Sequence, residues 1–241
     1  MKKVVYIVLW FAGLFALIYL LQYPVTTKEA WEPWSLPLSG KVVVIDPGHG
    51  GVDGGAVGKD ETLEKDIALS TSILLRDYLQ EAGAFVYMTR EKDQDLAAEG
   101  TQGLSNRKSE DIRKRVQFIQ DKEPDFFVSI HLNAIPSAKW SGAQTFYYPA
   151  LDESEHLAKF IQSEITRNLS NTTRKALALN NMYILKNVKA PGALVEIGFL
   201  SNPHERDLLK TSSYQDKMAA SIYEGMLRYV TEKEFPNEEQ S

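Results

Sequence analysis

The chain has 241 residues, a formal net charge of −5 and no cysteine. Charges of both signs are spread along it, which excludes the basic stripe expected of a nucleic-acid-binding protein. Without cysteine there can be neither a disulfide framework nor a thiolate metal site, so a transition metal would need His, Asp or Glu ligands.

An unbroken apolar run occupies residues 4–21, directly after Lys2 and Lys3. A run of this length can span a bilayer, and the two lysines orient the N-terminus towards the cytoplasm. We predict a cytoplasmic stub at residues 1–3 and a transmembrane signal-anchor at 4–21. The anchor is expected to stay uncleaved because bulky residues stand where a cleavage site needs small ones. The remainder would lie on the extracytoplasmic side of the membrane.

Three prolines interrupt residues 22–40, which we predict to form a linker without regular structure. Residues 41–232 are long enough for one domain with a sizeable core. Residues 233–241 are predicted to be a polar, frayed tail.

Apolar strand-like runs alternate with helical patterns through the predicted domain. The predicted strands are 41–45, 84–88, 125–131, 143–148, a short one at 182–185, and 193–197. The predicted helices are 63–81, 105–120, 154–169, 203–210 and 213–232. This alternation is typical of an α/β domain with a mostly parallel sheet covered by helices on both faces.

The most glycine-dense segment, VIDPGHGGVDGGAVG at 44–58, follows the first strand and contains His49. Glycine permits positive φ and close approach to a ligand, which favours a functional loop over a plain surface loop carrying a histidine. The segment lacks the Gly-Lys-Ser/Thr of a P-loop and the Gly-x-Gly-x-x-Gly of a dinucleotide-binding turn.

In such sheets, ligands bind outside the carboxyl ends of the strands. His49 follows the first strand, His131 ends the strand DFFVSIH, and Glu196 lies near the end of ALVEIG. Two histidines and a carboxylate are a recurrent ligand set for catalytic zinc. Glu64, in the first turn of the next helix, is the natural third ligand. Spacing alone leaves three neighbouring carboxylates open: Asp60, Glu61 and Asp66.

Glu196 interrupts an otherwise apolar strand. Carboxylates are rarely buried unless they are paired or take part in chemistry. We interpret Glu196 as a general base that takes a proton from a metal-activated water and passes it to a leaving amine. The alternative is a structural ion pair with Arg90 or Arg115.

The polar stretch 89–111 is too long for an ordinary connection between a strand and a helix. Stretches of this kind are functional lids or disordered segments, and the sequence leaves both interpretations open.

Five features in chain order carry a family resemblance: IDPGHGGVDGGAVG, a glutamate in the following helix, MTR, SIHLNA and LVEIGFLSN. Over about residues 41–230 the chain resembles the zinc-dependent N-acetylmuramoyl-L-alanine amidases. The resemblance implies a mixed, mostly parallel sheet of six strands. It also implies one zinc ion per chain held by His49, Glu64 and His131, which selects Glu64 among its neighbours.

The same resemblance implies roles for three further residues. Glu196 matches the catalytic glutamate, and Asn133 and Arg115 match positions near the substrate. The chain departs from the family pattern after Arg115, where RVQFIQ stands in place of the usual Ala-Asn ending.

Further segments are similar to family members that act in sporulation and germination: PWSLPLSGK, IPSAKWSGAQTFYYP, NTTRKA and PGALVEIGFLSNP. This similarity implies spore-cortex peptidoglycan as the substrate, in the first step towards muramic δ-lactam. It implies a location between forespore and mother cell and a lipoprotein activator as partner.

Two alternatives to a self-sufficient amidase remain. One is a non-catalytic or partner-dependent peptidoglycan-binding protein on the same fold. The other is a zinc peptidase, which is disfavoured because Val52 stands where a His-x-x-Glu motif needs glutamate.

Overall fold

The computed structural model describes residues 2–22, 36–232 and 235 of a chain that divides into two units, 1–35 and 36–241. The first unit contains α1 (Lys2–Gln22), which includes the residues 4–21 predicted to form an anchor. Across the described residues, no helix combines the length and apolar character required to cross a membrane. The predicted linker and tail lie largely outside the described residues.

The second unit is an α/β domain, as predicted. Its strands are β1 (Val42–Pro47), β2 (Phe85–Met88), β3 (Phe126–Asn133), β4 (Gln144–Tyr147), β5 (Leu177–Ala178) and β6 (Gly192–Phe199). Its helices are α2 (Glu64–Glu81), α3 (Leu104–Asp121), α4 (Asp152–Leu169), α5 (Tyr183–Asn187), α6 (Pro203–Leu209) and α7 (Ser212–Thr231).

The six strands form one mixed sheet in the order β2-β1-β3-β6-β4-β5. Strands β2, β1, β3 and β6 are parallel. Strand β4 pairs antiparallel to β6, and β5 is parallel to β4. The carboxyl ends of the four parallel strands therefore share one edge of the sheet with the beginning of β4.

Helices cover both faces of the sheet. Val43, Val128 and Val195 point into a core formed with α2, α4 and α7. Their strand neighbours Phe127 and Leu194 point to the opposite face, into a smaller core formed with α3 and α5. Because side chains alternate along a strand, His131 and Glu196 fall on this second face, beyond the apolar residues that α3 and α5 cover.

The short strand predicted at 182–185 is wrong. Helix α5 begins at Tyr183, directly after Met182, and it buries Ile184 and Leu185 together in the smaller core. A short apolar run does not distinguish a strand from a buried helical turn, and here the helix is formed. The strand that the sequence pattern missed is β5, whose two residues Leu177 and Ala178 are exposed and too few to show a strand pattern.

Candidate metal centre

Three side chains converge at the carboxyl edge of the sheet. His49 lies two residues beyond β1, His131 is near the end of β3, and Glu64 is the first residue of α2. Each offers one ligand atom, and these atoms all lie within 4.8 Å of one another. The structure thus brings together the three residues that the sequence predicts as metal ligands.

Glu64 connects the two histidines. Its Oε1 atom lies 2.9 Å from His131 Nδ1 and accepts a hydrogen bond of 2.8 Å from the amide of Leu132. Its Oε2 atom lies 3.2 Å from His49 Nε2 and accepts a 2.7 Å hydrogen bond from the amide of Ala56. The side chain is only 3% exposed. Two backbone amides therefore fix the orientation of a buried carboxylate between two imidazoles.

The rival carboxylates near Glu64 do not take part. Asp60 Oδ2 lies 2.8 Å from Lys210 Nζ, in a surface ion pair. Glu61 and Asp66 are exposed. Geometry therefore selects Glu64, which spacing alone left undecided.

The charges of Glu64 and the two histidines act on one another. Burial opposes protonation of His49, but hydrogen bonds and charge from Glu64 and then Asp53 outweigh burial and raise its pKa to about 9. Burial likewise opposes ionisation of Glu64, but the two histidines lower its pKa well below the usual range. Both shifts arise because the Glu64 carboxylate and the protonated His49 ring stabilise each other.

Glu196 stands beside the cluster, directly across from His131 in the parallel β3–β6 register. Its Oε2 atom is buried and has no hydrogen-bond partner within the described part of the chain. Burial, partly offset by the histidines and reinforced by Glu64, raises its pKa to about 7. A buried acid that titrates near neutrality is suited to carrying a proton.

The ion-pair alternative for Glu196 is wrong. Arg90 donates to the carbonyl oxygens of Pro47 and Gly48. Arg115 pairs with Asp46, as described below. Neither guanidinium is therefore the partner of Glu196.

The sequence was compared with models of known protein families. Residues 43–228 match the Amidase_3 model, described as N-acetylmuramoyl-L-alanine amidase. The chain belongs to this family. The amidase hydrolyses an amide bond, which agrees with a buried proton carrier beside a histidine–carboxylate cluster.

Individual relatives agree with the family. The amidase is 58% identical over 226 residues to the germination-specific N-acetylmuramoyl-L-alanine amidase of Bacillus subtilis (strain 168), covering 94% of this chain and 95% of the relative. It resembles the CwlD amidase from Clostridioides difficile, solved in complex with the GerS lipoprotein, with a TM-score of 0.78 and 39% identity over 79% of this chain and 98% of that one. It also resembles an N-acetylmuramoyl-L-alanine amidase from Clostridium difficile 630, with a TM-score of 0.71 and 30% identity, covering 80% of this chain and 98% of that one.

Asp53 contacts the candidate metal ligand His49, and the sequence interpretation missed this contact. Its Oδ2 atom lies 2.8 Å from His49 Nδ1, and its Oδ1 atom lies 2.7 Å from Lys108 Nζ. A carboxylate on Nδ1 fixes the tautomer of the ring and leaves Nε2 available to a metal. Its position four residues after His49 in the glycine loop is the one signal that could have identified it.

Two arginines hold the backbone of the His49 loop. Arg115 donates to the carbonyl oxygens of Pro47 and His49 at 2.7 and 2.5 Å, and Arg90 donates to those of Pro47 and Gly48 at 3.0 and 2.9 Å. His49 has a φ of 60°, which is unfavourable for a residue with a side chain. These hydrogen bonds stabilise the strained conformation that points the imidazole at Glu64.

Arg115 lies beneath the site, which corrects its predicted place beside the substrate. Its side chain is 2% exposed and pairs with Asp46 and Asp111, each at 2.8 Å. Asp46 also accepts hydrogen bonds from Thr89 and Ser129. Burial opposes ionisation of Asp46, but the charge of Arg115 lowers its pKa to about 2. Arg115 is thus a positioning residue.

The stretch 89–111 is fixed to the glycine loop, so the disordered alternative is wrong. Asp93 accepts hydrogen bonds from the amide of Gly51 at 2.8 Å and from Lys65 Nζ at 2.7 Å. Asp95 pairs with Arg107 at 2.5 Å, and α3 begins within the stretch at Leu104.

Asn133 ends β3, two residues beyond His131, where the pairing with β6 shifts register. Its side chain is half-buried and makes no hydrogen bond with the described residues. Its role at the substrate stays a prediction.

The residues present fit a zinc ion. Two imidazoles and one carboxylate form a ligand set that leaves a fourth position open for chemistry. The buried Glu196 oxygen without a partner lies beside that set, where a catalytic proton carrier is needed.

Proposed function

We propose that this amidase is zinc-dependent and cleaves the amide between the lactyl group of N-acetylmuramic acid and L-alanine in peptidoglycan. His49, Glu64 and His131 would hold one zinc ion per chain. The observation that carries the proposal is the approach of their three ligand atoms to within 4.8 Å beside the unpartnered Glu196 carboxyl group.

In the proposed mechanism, Glu196 moves the proton. When bound, zinc polarises the scissile carbonyl and lowers the pKa of a water to about 7. Glu196 accepts the proton of the attacking water on its carboxylate and then gives it to the amide nitrogen, so that the amine of L-alanine leaves. Burial raises the pKa of Glu196 above that of a free carboxyl group, which suits it to accept the proton and then return it.

Other side chains prepare the site for this transfer. Asp53 orients the His49 ring through Nδ1, and the amides of Ala56 and Leu132 orient Glu64. Arg115 holds the His49 backbone from below. We assign Asn133 to substrate binding, because it continues β3 beyond His131 and has no hydrogen-bond partner among the described residues.

We further propose that the substrate is spore-cortex peptidoglycan, cleaved outside the cytoplasm as the first step towards muramic δ-lactam. The 58% identity to a relative named as germination-specific supports this proposal. A lipoprotein is a reasonable activator, since a similar amidase was solved in complex with one. Partner-dependent activity is the second candidate, and that same complex favours it.

The proposal can be tested on the purified full-length chain. Bound zinc is measured first. Cortex and vegetative peptidoglycan are then digested, and mass spectrometry detects new L-alanine N-termini and peptide-free muramic acid. We expect about one zinc per chain and peptide release, with cortex preferred.

His131→Ala should lose both zinc and activity. His204→Ala serves as the matched control, because His204 is an exposed histidine on α6. Zinc binding without peptide release would favour the partner-dependent alternative. Peptide release by a zinc-free protein would refute the metal assignment.

A further inference from the structure

A row of side chains crosses the sheet from the metal ligands towards β4. His131 on β3 stands beside Glu196 on β6, and Glu196 stands directly across from Gln144 on β4. Residues directly opposite in an antiparallel pair have Cβ atoms about 5 Å apart on the same face. The row therefore runs from His131 through Glu196 to Gln144.

The order of these side chains indicates on which side of Glu196 a leaving peptide would lie. Glu196 has to reach both the attacking water and the nitrogen of the leaving amine. Because the candidate metal ligands occupy the His131 side of Glu196, the opposite side, where Gln144 lies, is the one left for a leaving peptide.

The loop at residues 170–176 borders that side. Gln144 Nε2 donates to the carbonyl oxygen of Lys175 at 2.5 Å, which fixes the loop beside the row. The preceding residue, Arg174, donates from Nη1 to the carbonyl oxygen of Gly142. Its guanidinium carbon lies 5.5 Å from the ring centre of Phe199, which ends β6. Arg174 is thus held at the catalytic edge.

Arg174 forms no ion pair within the described part of the chain. Its charge acts on the nearby Glu205, but that carboxylate accepts its hydrogen bonds from the amides of Gly142 and Phe199. Arg107, Arg115 and Arg228, in contrast, all form ion pairs. A guanidinium has five N–H donors, and one carbonyl acceptor leaves most of those of Arg174 without a partner. The guanidinium also lies 6.0 Å from the ring centre of Trp140, which is 54% exposed. A cation and an exposed aromatic ring therefore stand together beside the path of the leaving peptide.

We propose that Arg174 binds a carboxylate of the leaving peptide, in the residue that follows L-alanine, while Trp140 packs against that peptide. Arg174 is then a specificity residue for acidic peptides. This assignment rests on the proposed function, since it takes the leaving group to be a peptide.

The test compares two small substrates. One is N-acetylmuramoyl-L-alanyl-D-glutamate, and the other is the same compound with both glutamate carboxylates converted to amides. Steady-state kinetics are measured with the zinc-loaded full-length protein. Arg174→Ala should lower kcat/KM about tenfold for the acidic substrate, mainly through KM, as expected for one charge-assisted pair at a half-exposed position. It should leave the amidated substrate nearly unchanged.

Two variants serve as controls. Arg174→Lys keeps the charge and should retain most of the preference for the acidic substrate. Arg113→Ala removes an exposed arginine on α3 and should change neither substrate. If Arg174→Ala unfolds, Arg174→Gln provides the same comparison.

An equal loss on both substrates, or no loss on either, would overturn the assignment of Arg174. Failure of the unchanged protein to cleave either substrate would instead overturn the proposed function, and the assignment with it.

Discussion

Replacement of Glu196 by glutamine tests the proton transfer directly. Glutamine keeps the size of the side chain but can neither accept nor carry the proton. Loss of a positioned general acid–base lowers the rate by roughly 10²–10⁴-fold. The ligands His49, Glu64 and His131 are unchanged, so bound zinc should be retained.

The shifted pKa of Glu196 also predicts how much the stability of the folded protein changes with pH. The pKa of Glu196 rises from an ordinary value of 4.5 to about 7. Protonated Glu196 therefore contributes its full stabilisation of the folded state below pH 4.5, and this contribution is lost as the pH rises through 7. At 1.36 kcal/mol per pKa unit, the loss is at most about 3 kcal/mol in metal-free protein. Glutamine does not ionise and loses nothing over this pH range. At pH 8 the metal-free variant should therefore be more stable than the metal-free wild type by up to this amount.

Two assays check these expectations. Turnover of muramoyl peptides is measured against pH, with zinc content determined on the same samples. The wild type should lose activity as the pH falls through the pKa of Glu196, which a bound cation would lower from 7. Urea unfolding of chelator-treated protein at pH 5 and pH 8 gives the stability difference. A variant that keeps more than a tenth of wild-type turnover would refute the role of Glu196.

Three other substitutions probe the supports of the site. Asp53→Asn should weaken zinc binding about 10–100-fold in a competition titration while the protein stays folded, and unchanged affinity would contradict the orienting role. Arg115→Ala leaves a buried carboxylate without its cation and should lower the free energy of unfolding by about 3–5 kcal/mol in urea; a loss below about 1 kcal/mol would contradict this. In Gly48→Ala the new Cβ would lie 2.4 Å from the ring of His131, so zinc should be lost, whereas Gly100→Ala faces open space and should retain it.

Much of the fold can be read from local patterns. The predicted strands at 41–45, 84–88 and 125–131 correspond to β1, β2 and β3 within one or two residues at most boundaries. The runs that form β1 and β3 are buried on both faces and flanked by turn residues, so the sequence pattern identifies them. Strand β2 lies at the edge of the sheet, and its Phe85 and Tyr87 are exposed. The antiparallel direction of β4 depends on the partner it meets across the sheet, and no local pattern encodes that.

Part of the candidate site could also be predicted from the sequence. His49, His131 and Glu196 stand at strand ends, so the topology alone places them at one edge. The choice of Glu64 depended on family resemblance, because the amides that orient it come from Ala56 and Leu132. Asp53 escaped notice because its role depends on the fold of its loop.

The reversal of β4 has a consequence for how this enzyme could be altered. In a wholly parallel sheet, the loops that enter each strand lie at the edge away from the active centre. Because β4 begins beside Glu196, the loops at residues 134–143 and 170–176 both reach the catalytic edge. Exchanging these two loops between related enzymes should therefore transfer peptide preference while the zinc ligands stay on an unchanged framework. Exchanges at the opposite edge should affect only folding.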